Sequence, residues 1–311
     1  MTKSTVPVLI VLLSICTIWV FSVAPMNFRM ALDQVERQDM EVRPASSMAR
    51  QERNVFYLMY QNPQHISASY SLERPALPTP RQVIGEIWKT TGQMALAGKA
   101  LSKRSLIYHA WVTLKSTFFG FVLGLAFGLI GAISVVYSRV ADLTLMPWAI
   151  ISQTIPIVAL APMIIVLTSQ VGIESRDVPK AVISAYLCFF PVMVGMVKGL
   201  KSPEISQLDL LKTYNASPID TFFKLRLPAS VPYLFASLKV GIAAALVGTI
   251  VGELPTGAIS GLGARILIGD QFGTPLAIWA ALFIAALLAG LLVSFIGFLQ
   301  KFTLGKMGMI E

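Results

Sequence analysis

Charged residues are scarce in this sequence: Asp, Glu, Lys and Arg make up 13% of its 311 residues, about half the share of a typical soluble domain. Hydrophobic residues make up 55%, and the mean hydropathy is +0.69. This balance excludes an ordinary soluble domain and predicts a membrane protein that contacts membrane lipid. With the long apolar stretches described below, the expected class is an all-α, polytopic membrane protein. The net charge of +9 is dispersed among apolar runs without a basic, aromatic-interleaved patch, so nucleic acid is not an expected partner.

Cysteine and histidine are also rare, with two of each. Cys16 and Cys188 lie in apolar runs, and His65 and His109 are far apart in the sequence. No ligand spacing surrounds them, so we predict neither a metal site nor a disulfide framework. No paired carboxylate, Cys–His or Ser–His arrangement falls at membrane depth, so we predict no catalytic residues and no cofactor.

The sequence has no G-x-x-x-x-G-K-[ST] run and therefore no P-loop to hold a nucleotide. Its apolar stretches also lack ionisable residues, with the exception of Lys239, whereas ion-coupled carriers usually bury such residues at mid-membrane. These two absences favour a non-catalytic subunit that is driven by a separate ATPase. The alternative is an ion-coupled secondary carrier or channel that acts without an ATPase.

Six apolar stretches are long enough to cross a bilayer, which predicts about six transmembrane helices. The first is either a retained anchor or a cleaved signal peptide, and its length favours the anchor. In the second, Gly120, Gly124 and Gly128 repeat every four residues and predict close helix packing. The third is uncharged for 31 residues and contains three prolines, so we expect kinks. The predicted stretches are 6–24, 117–138, 143–173, 181–197, 231–252 and 272–300.

The charged segment after the first stretch contains no apolar run long enough to cross a bilayer, so we place it outside the membrane on the extracytoplasmic side. Within it, Thr79 and Gln82 form a capping box ahead of an apolar face, which predicts an amphipathic helix near 80–91. The predicted division is a first transmembrane helix at 1–25, this extracytoplasmic segment at 26–107, a transmembrane domain at 108–304 with a polar loop at 202–228, and a cytoplasmic tail at 305–311.

The polar loop at 202–228 carries signals for two short helices. Ser202 is an N-cap ahead of a proline, and Asn215 tolerates the left-handed backbone at which many helices end. Ser217 then starts a second helix, which Pro228 is expected to end. A helical hairpin between two membrane spans predicts a docking element at the membrane face.

In this loop the sequence resembles the inner-membrane permease subunits of binding-protein-dependent ABC importers. Their cytoplasmic loop reads E-A-A, three residues, G, nine residues, I-x-L-P. The resemblance extends from about residue 77 to the C-terminus and is strongest to the nitrate, sulfonate and taurine type. The matching positions are Asp209 for the glutamate, Leu210 and Leu211 for the two alanines, Asn215 for the glycine, Leu225 for the isoleucine, and Leu227 and Pro228 for L-P.

The resemblance implies a type I ABC importer permease fold in a bacterial inner membrane. It implies a permease homodimer that binds two ATPase subunits through the 202–228 loop and receives substrate from an extracytoplasmic binding protein. The implied substrate is a small polar nutrient, either nitrate-, sulfonate- or taurine-like or a vitamin-related heterocycle such as a thiamin-precursor pyrimidine or riboflavin. The expected coupling residues are Asp209, Leu210, Leu211, Tyr214, Asn215, Ala216, Ser217, Leu225, Leu227 and Pro228.

Five residues in or near the apolar stretches are candidates for the pathway or a gate. Kinks at the prolines could line a pathway, and a glutamate before G-L-G resembles the family's pattern. Two of them have a simpler structural alternative: Lys239 can extend its ammonium to the membrane interface, and Glu253 can cap a helix instead of contacting the binding protein. The candidates are Pro156, Pro162, Pro191, Lys239 and Glu253.

Basic residues fix the expected orientation. If the 202–228 loop is cytoplasmic, nine Lys and Arg near the spans lie inside and four lie outside, in agreement with the positive-inside rule. Both termini are then cytoplasmic. The inside set is Lys3, Arg139, Lys198, Lys201, Lys212, Lys224, Arg226, Lys301 and Lys306, and the outside set is Lys115, Arg176, Lys180 and Arg265.

Overall fold

The computed structural model describes residues 2–309, with side chains from residue 6 onward. The side chain of Lys3 and the last two residues of the predicted tail lie outside the described residues. The described part is helical and contains no strand. Its α-helices are α1 (Thr2–Glu36), α2 (Ser47–Glu52), α3 (Val55–Gln61), α4 (Pro80–Thr90), α5 (Gly92–Leu96), α6 (Leu106–Tyr137), α7 (Arg139–Ser152), α8 (Ile157–Gln170), α9 (Asp177–Leu200), α10 (Ile205–Thr213), α11 (Pro218–Thr221), α12 (Leu227–Glu253), α13 (Leu262–Gln271) and α14 (Pro275–Lys306).

The chain divides into two compact units. The first unit comprises Met1–Leu106 and Arg265–Phe283, and the second comprises Ile107–Ala264 and Ile284–Glu311. The predicted placement of 26–107 on the extracytoplasmic side and of 305–311 in the cytoplasm stays a proposal.

In the first unit, α1 does not end near residue 25 but continues to Glu36. It continues because Phe28, Leu32 and Val35 lie on one face and pack, fully or almost fully buried, in a small core with Val42 and Leu58. The membrane-length helix therefore extends directly into a folded segment outside its apolar stretch. A 3₁₀ helix at Pro63–Tyr70 packs against α1 and completes this part.

A buried arginine holds the loop after α1. Arg50 is 1% exposed, donates to the carbonyl oxygens of Pro44 and Ala45 at 3.0 and 3.1 Å, and pairs with Asp33 at 2.7 Å and with Glu36. Burial disfavours the charged guanidinium, but its hydrogen bonds to the two carboxylates outweigh that effect and raise the pKa of Arg50 above its ordinary value. This cluster fixes the loop between α1 and α2 against the end of α1.

The predicted amphipathic helix near 80–91 is confirmed as α4. Its capping box is present: Gln82 N donates to Thr79 Oγ1 at 3.2 Å, and Thr79 N donates to Gln82 Oε1 at 2.9 Å. Ile84 and Trp88, one turn apart, are 67% and 55% exposed. This exposed apolar face agrees with a helix that lies on a membrane surface.

In the second unit, α6 packs closely against α9 along the predicted glycine repeat. A Cβ added to Gly124 would lie 2.7 Å from the Cβ of Cys188, and one added to Gly128 would lie 2.8 Å from Cγ1 of Val192. Both distances are shorter than carbon atoms tolerate, so glycine is needed at these two positions. The prediction of close packing is confirmed.

These contacts also give the helix directions. Lys115, early in α6, pairs with Asp177 at the start of α9 at 3.8 Å, and Gly128, later in α6, packs on Val192, later in α9. The helices α6 and α9 therefore run parallel. α12 runs antiparallel to α9, because Gly195 near the end of α9 meets Ser237 early in α12. We call the end of the second unit where α9 ends and α12 begins the hairpin end, and the other the opposite end.

Within residues 2–309, five helices are long and apolar enough to cross a membrane, and α7 and α8 form a sixth, broken candidate with a bend of 106°. Asp142 at the start of α7 pairs with Lys201 at the hairpin end at 3.5 Å. Arg176, after α8, donates to the carbonyl of Gly257 at the opposite end at 2.9 Å. The pair therefore crosses from one end to the other, as the parallel arrangement of α6 and α9 requires, and the prediction of about six spans is confirmed.

Candidate functional site

The helical hairpin at 202–228 is present, but its first helix starts later than predicted. The N-cap of α10 is Glu204, which forms a capping box with Gln207, and the Glu204 amide donates to Gln207 Oε1 at 3.1 Å. Ser202 is not the N-cap, because its hydroxyl donates to the carbonyl of Gly199 at 2.7 Å and so belongs to the end of α9. α10 has no buried residue.

The predicted turn at Asn215 is confirmed. Asn215 has a φ of 54°, in the left-handed region. Its amide donates to the carbonyl of Lys212 at 2.9 Å, and the amide of Ala216 donates to that of Leu211 at 3.0 Å. These two bonds form a Schellman motif, which satisfies the last carbonyls of α10 and reverses the chain.

The second helix begins as predicted and does not end where predicted. Ser217 is the N-cap, its Oγ accepts from Asp220 N at 3.1 Å, and Asp220 pairs with Lys224 at 2.6 Å. Pro228 does not end the helix, because a π-helical segment at Phe222–Arg226 leads directly into α12. Pro228 lies in the first turn of α12, where its missing N–H is tolerated.

Large apolar side chains of the hairpin are exposed. Leu210, Tyr214, Ile219 and Phe223 are 57–77% exposed. Of the expected coupling residues, Asp209, Leu210, Tyr214, Asn215 and Ser217 are exposed, whereas Leu211, Ala216, Leu225, Leu227 and Pro228 are half-buried. Ile219 and Phe223 form an apolar stripe in the sequence but are absent from that set. They line a cavity of about 270 Å³ with Ile133, Tyr137, Pro218 and Phe222.

Arg226 joins the hairpin to the helices of the second unit. Its guanidinium donates to the carbonyl of Leu200 at 2.7 Å and lies 6.0 Å from the ring centroid of Tyr137. Phe222 meets the same ring edge-on at 6.1 Å. The hairpin is thus attached to the ends of α6 and α9 and continues into α12.

Glu253, at the other end of α12, is fully buried. Its Oε1 accepts from Thr113 Oγ1 at 2.9 Å, and its Oε2 accepts from the amide of Gly263 at 2.7 Å. A Cβ at Gly261, where φ is +127°, would overlap the carboxylate. Glu253 therefore caps the start of α13 from inside and is not exposed to a binding protein in this structure.

A chain of buried polar groups continues from Glu253 into the interior. Thr113 Oγ1 accepts from the amide of Leu262 at 2.8 Å, and Thr117 Oγ1 lies 3.0 Å from Thr249 Oγ1. His109 is 1% exposed, and its Nδ1 accepts from the amide of Gly261 at 3.0 Å. The sequence predicts no partner for His109, and its only signal is the four-residue spacing of His109, Thr113 and Thr117, which puts them on one helix face.

The other pathway candidates lie apart from this cluster. Pro156 is the N-cap of α8 at the break, while Pro162 and Pro191 lie inside α8 and α9. Lys239 is half-buried beside Gly297, with no ion pair among the described residues. It is the thirteenth of the 27 residues of α12 and therefore lies next to the middle of that helix. The expected extension of its ammonium to the membrane interface stays a prediction. No described group of three His, Cys, Asp or Glu residues could hold a metal ion.

Six apolar crossings with an exposed helical hairpin between two of them define a polytopic membrane protein. Residues 121–305 match the family model described as "binding-protein-dependent transport system inner membrane component". The match covers more than half of the chain, so the chain belongs to this family of transmembrane ABC importer permeases. Its all-α, multi-pass architecture and its resemblance to such permeases are confirmed.

Named relatives agree with this assignment. The chain is 39% identical over 155 residues to a probable ABC transporter permease protein of Haemophilus influenzae, a match that covers 50% of this chain and 61% of that protein, less than two-thirds of its length. It is 30% identical over 239 residues to the formylaminopyrimidine transport permease protein ThiX of Halalkalibacterium halodurans, covering 76% and 88% of the two chains. It is 32% identical over 226 residues to the riboflavin transport system permease protein RibX of Chloroflexus aurantiacus, covering 72% and 78%. Other relatives carry sulfonate and nitrate in their names.

A solved structure described as inward-facing conformations of the MetNI methionine ABC transporter aligns with a TM-score of 0.47 and 19% identity. The alignment covers 71% of this chain and 95% of that chain. At this TM-score the similarity adds nothing to the family assignment.

Proposed function

We propose that this chain is the membrane-spanning subunit of an ATP-driven importer, that two copies form the pathway, and that two separate ATPase subunits bind the 202–228 hairpins. The observation that carries the proposal is the exposure of Leu210, Tyr214, Ile219 and Phe223 on the hairpin. Exposed aromatic and aliphatic side chains on a short helix fit the groove of a partner protein.

Coupling follows from the continuity of one helical element. Pro218–Glu253 is helical over 36 residues, which corresponds to about 54 Å at 1.5 Å per residue. It runs from the hairpin, where the ATPase would bind, to Glu253, which holds the loop before α13 at the opposite end. A tilt of this rod, driven by closure of the ATPase pair, would move both ends of the pathway together and alternate access between the two sides.

The proposed orientation puts the hairpin and both termini in the cytoplasm, with 26–107 on the extracytoplasmic side. Of the thirteen basic residues near the spans, nine then lie inside and four outside, which agrees with the positive-inside rule. A cysteine at Thr213, an exposed position near the end of α10, tests the orientation. Impermeant thiol reagents should label it in inverted vesicles and not in intact spheroplasts, and the reverse pattern would overturn the proposal.

The proposed substrate is a small polar nutrient that an extracytoplasmic binding protein delivers. The relatives' names include a formylaminopyrimidine, riboflavin, sulfonates and nitrate, which sets the range of candidates. The residues proposed to line the pathway or a gate for this substrate remain Pro156, Pro162, Pro191, Lys239 and Glu253.

The function is tested by uptake into liposomes that contain the full chain with its ATPase subunits and binding protein. We expect uptake only when ATP is present inside the liposome, on the same side as the ATPase subunits. Uptake should also require the binding protein on the other side. Uptake by the chain alone, driven by an ion gradient without ATP, would instead support the ion-coupled carrier.

A further inference from the structure

The break between α7 and α8 lies near mid-membrane. Pro156 has no N–H, so the carbonyl of Ser152, four residues earlier, has no helical donor. The hydroxyl of Tyr186 donates to this carbonyl instead. Tyr186 is the tenth residue of the 24-residue α9, about 14 Å from the start of that helix at 1.5 Å per residue. The break is therefore held near the middle of a bilayer whose hydrocarbon core is about 30 Å thick.

The break exposes polar groups at this depth. Gln153 and Thr154 are both exposed, and the Gln153 amide makes a single long contact, 3.4 Å from Nε2 to Ser152 Oγ. Irregular backbone and free amide groups are tolerated at membrane depth where they line a water-filled cavity or are covered by protein. This face of the second unit therefore does not belong in contact with lipid tails.

A cavity of about 370 Å³ adjoins the break, and Tyr186 belongs to both. Phe127 and Phe189 provide further aromatic walls, and the ring centroids of Tyr186 and Phe189 are 6.2 Å apart. Among the residues that the structure describes, no charged side chain lines this cavity, and none occurs in the sequence from Ser152 to Pro156. The described lining is Leu123, Phe127, Val182, Ala185, Tyr186 and Phe189.

We propose that this cavity and the adjacent break form a transit site for an uncharged, planar heteroaromatic substrate, an inference that rests on the proposed importer function. The aromatic walls stack on the ring, and the Gln153 amide, which has both donors and an acceptor, contacts the polar edge of the ring. A nitrate or sulfonate ion in the same place would lose its hydration with no cation to compensate for the loss. The site therefore favours the heterocyclic end of the proposed substrate range over the anionic end.

The test uses Gln153→Cys in the full chain with its ATPase subunits in lipid nanodiscs and with Cys16→Ser as background. Leu291→Cys, on α14 and 59% exposed, is the matched lipid-facing control. Because a thiol reacts as its thiolate, which requires water, we expect a charged methanethiosulfonate reagent to label Gln153→Cys about tenfold faster than the control, or faster still. Thr154→Cys is a second position if the first variant does not fold.

Substrate class is tested by protection. 4-Amino-2-methylpyrimidine, at ten times its Kd, should slow the labelling of Gln153→Cys about tenfold, whereas sodium nitrate and sodium methanesulfonate should leave the rate unchanged. Labelling no faster than the control would show that lipid covers the break, and a spontaneous disulfide between two copies would show that a second copy covers it. Protection by the anions alone, or by none of the probes, would also overturn the inference. If ATPase subunits co-purify with these variants, each of these results overturns the transit site without affecting the proposed importer function. If the unmodified chain does not bind ATPase subunits, the proposed importer function itself is overturned.

Discussion

The buried carboxylate of Glu253 gives a quantitative test of how the opposite end is held together. It accepts from Thr113 Oγ1 at 2.9 Å and from the amide of Gly263 at 2.7 Å, and it is fully buried. Glu253→Ala leaves both donors unpaired in the interior at about 1–3 kcal/mol each, so we expect a loss of about 2–6 kcal/mol in unfolding free energy. Glu253→Gln keeps one acceptor oxygen and should lose about 1–3 kcal/mol.

The assay is equilibrium unfolding of the purified full chain, combined with hydrogen exchange across residues 254–264. Glu174→Gln, a change to an exposed carboxylate, is the control and should stay within about 0.5 kcal/mol of the parent. In Glu253→Ala the amide of Gly263 should exchange faster, because its acceptor is gone. Equal stability of Glu253→Ala and Glu174→Gln, or unchanged protection of this amide, would refute the argument that the carboxylate caps the start of α13.

Three further predictions concern other parts of the fold. Gly124→Ala places a Cβ 2.7 Å from Cys188 and should lower the unfolding free energy by about 1–3 kcal/mol. The control Gly290→Ala, whose Cβ meets nothing within 4 Å, should not destabilise the protein, and equal effects of the two changes would contradict the proposed helix packing. Tyr186→Phe removes the donor to the free carbonyl at the helix break and should cost about 1–2 kcal/mol, and an unchanged melting curve would show that water supplies the donor. Arg50→Met removes the partner of two carboxylates that are each 46% exposed, so we expect a modest loss of about 2 kcal/mol in stability, measured as faster proteolysis of the first unit. Arg53→Met, a change to an exposed arginine, is the control, and equal cleavage of both variants would contradict a structural role for Arg50.

Local signals in the sequence predicted much of the fold. The capping box at Thr79, the turn at Asn215, the N-cap at Ser217 and the glycine repeat near Gly124 each depend on residues close together in the chain, and all four are present. The start of α10 was predicted wrongly because serine is a much stronger N-cap than glutamate by residue type. The Ser202 hydroxyl instead donates to the end of α9, and α10 begins at Glu204 through its capping box with Gln207.

Features that depend on distant contacts could not be predicted in this way. The Glu253 cluster joins residues 140 positions apart. The sequence alone therefore could not decide whether this glutamate caps a helix or contacts the binding protein. The third apolar stretch contains Pro147, Pro156 and Pro162, and each removes a helical hydrogen bond. Only at Pro156 does the helix break, where the freed carbonyl finds a donor on α9, and the sequence does not show which proline has such a neighbour.

The most direct test of the account is whether the hairpin binds the ATPase subunits. Tyr214→Asp changes a residue that is 77% exposed on the hairpin, and Tyr60→Asp is the matched control, 84% exposed in the first unit. An interface residue of this kind contributes about 2 kcal/mol or more, so affinity purification of the full chain should recover about thirtyfold less ATPase with Tyr214→Asp and an unchanged amount with Tyr60→Asp. Full recovery of ATPase with Tyr214→Asp would contradict the central claim that this hairpin connects the membrane spans to an ATP-driven partner.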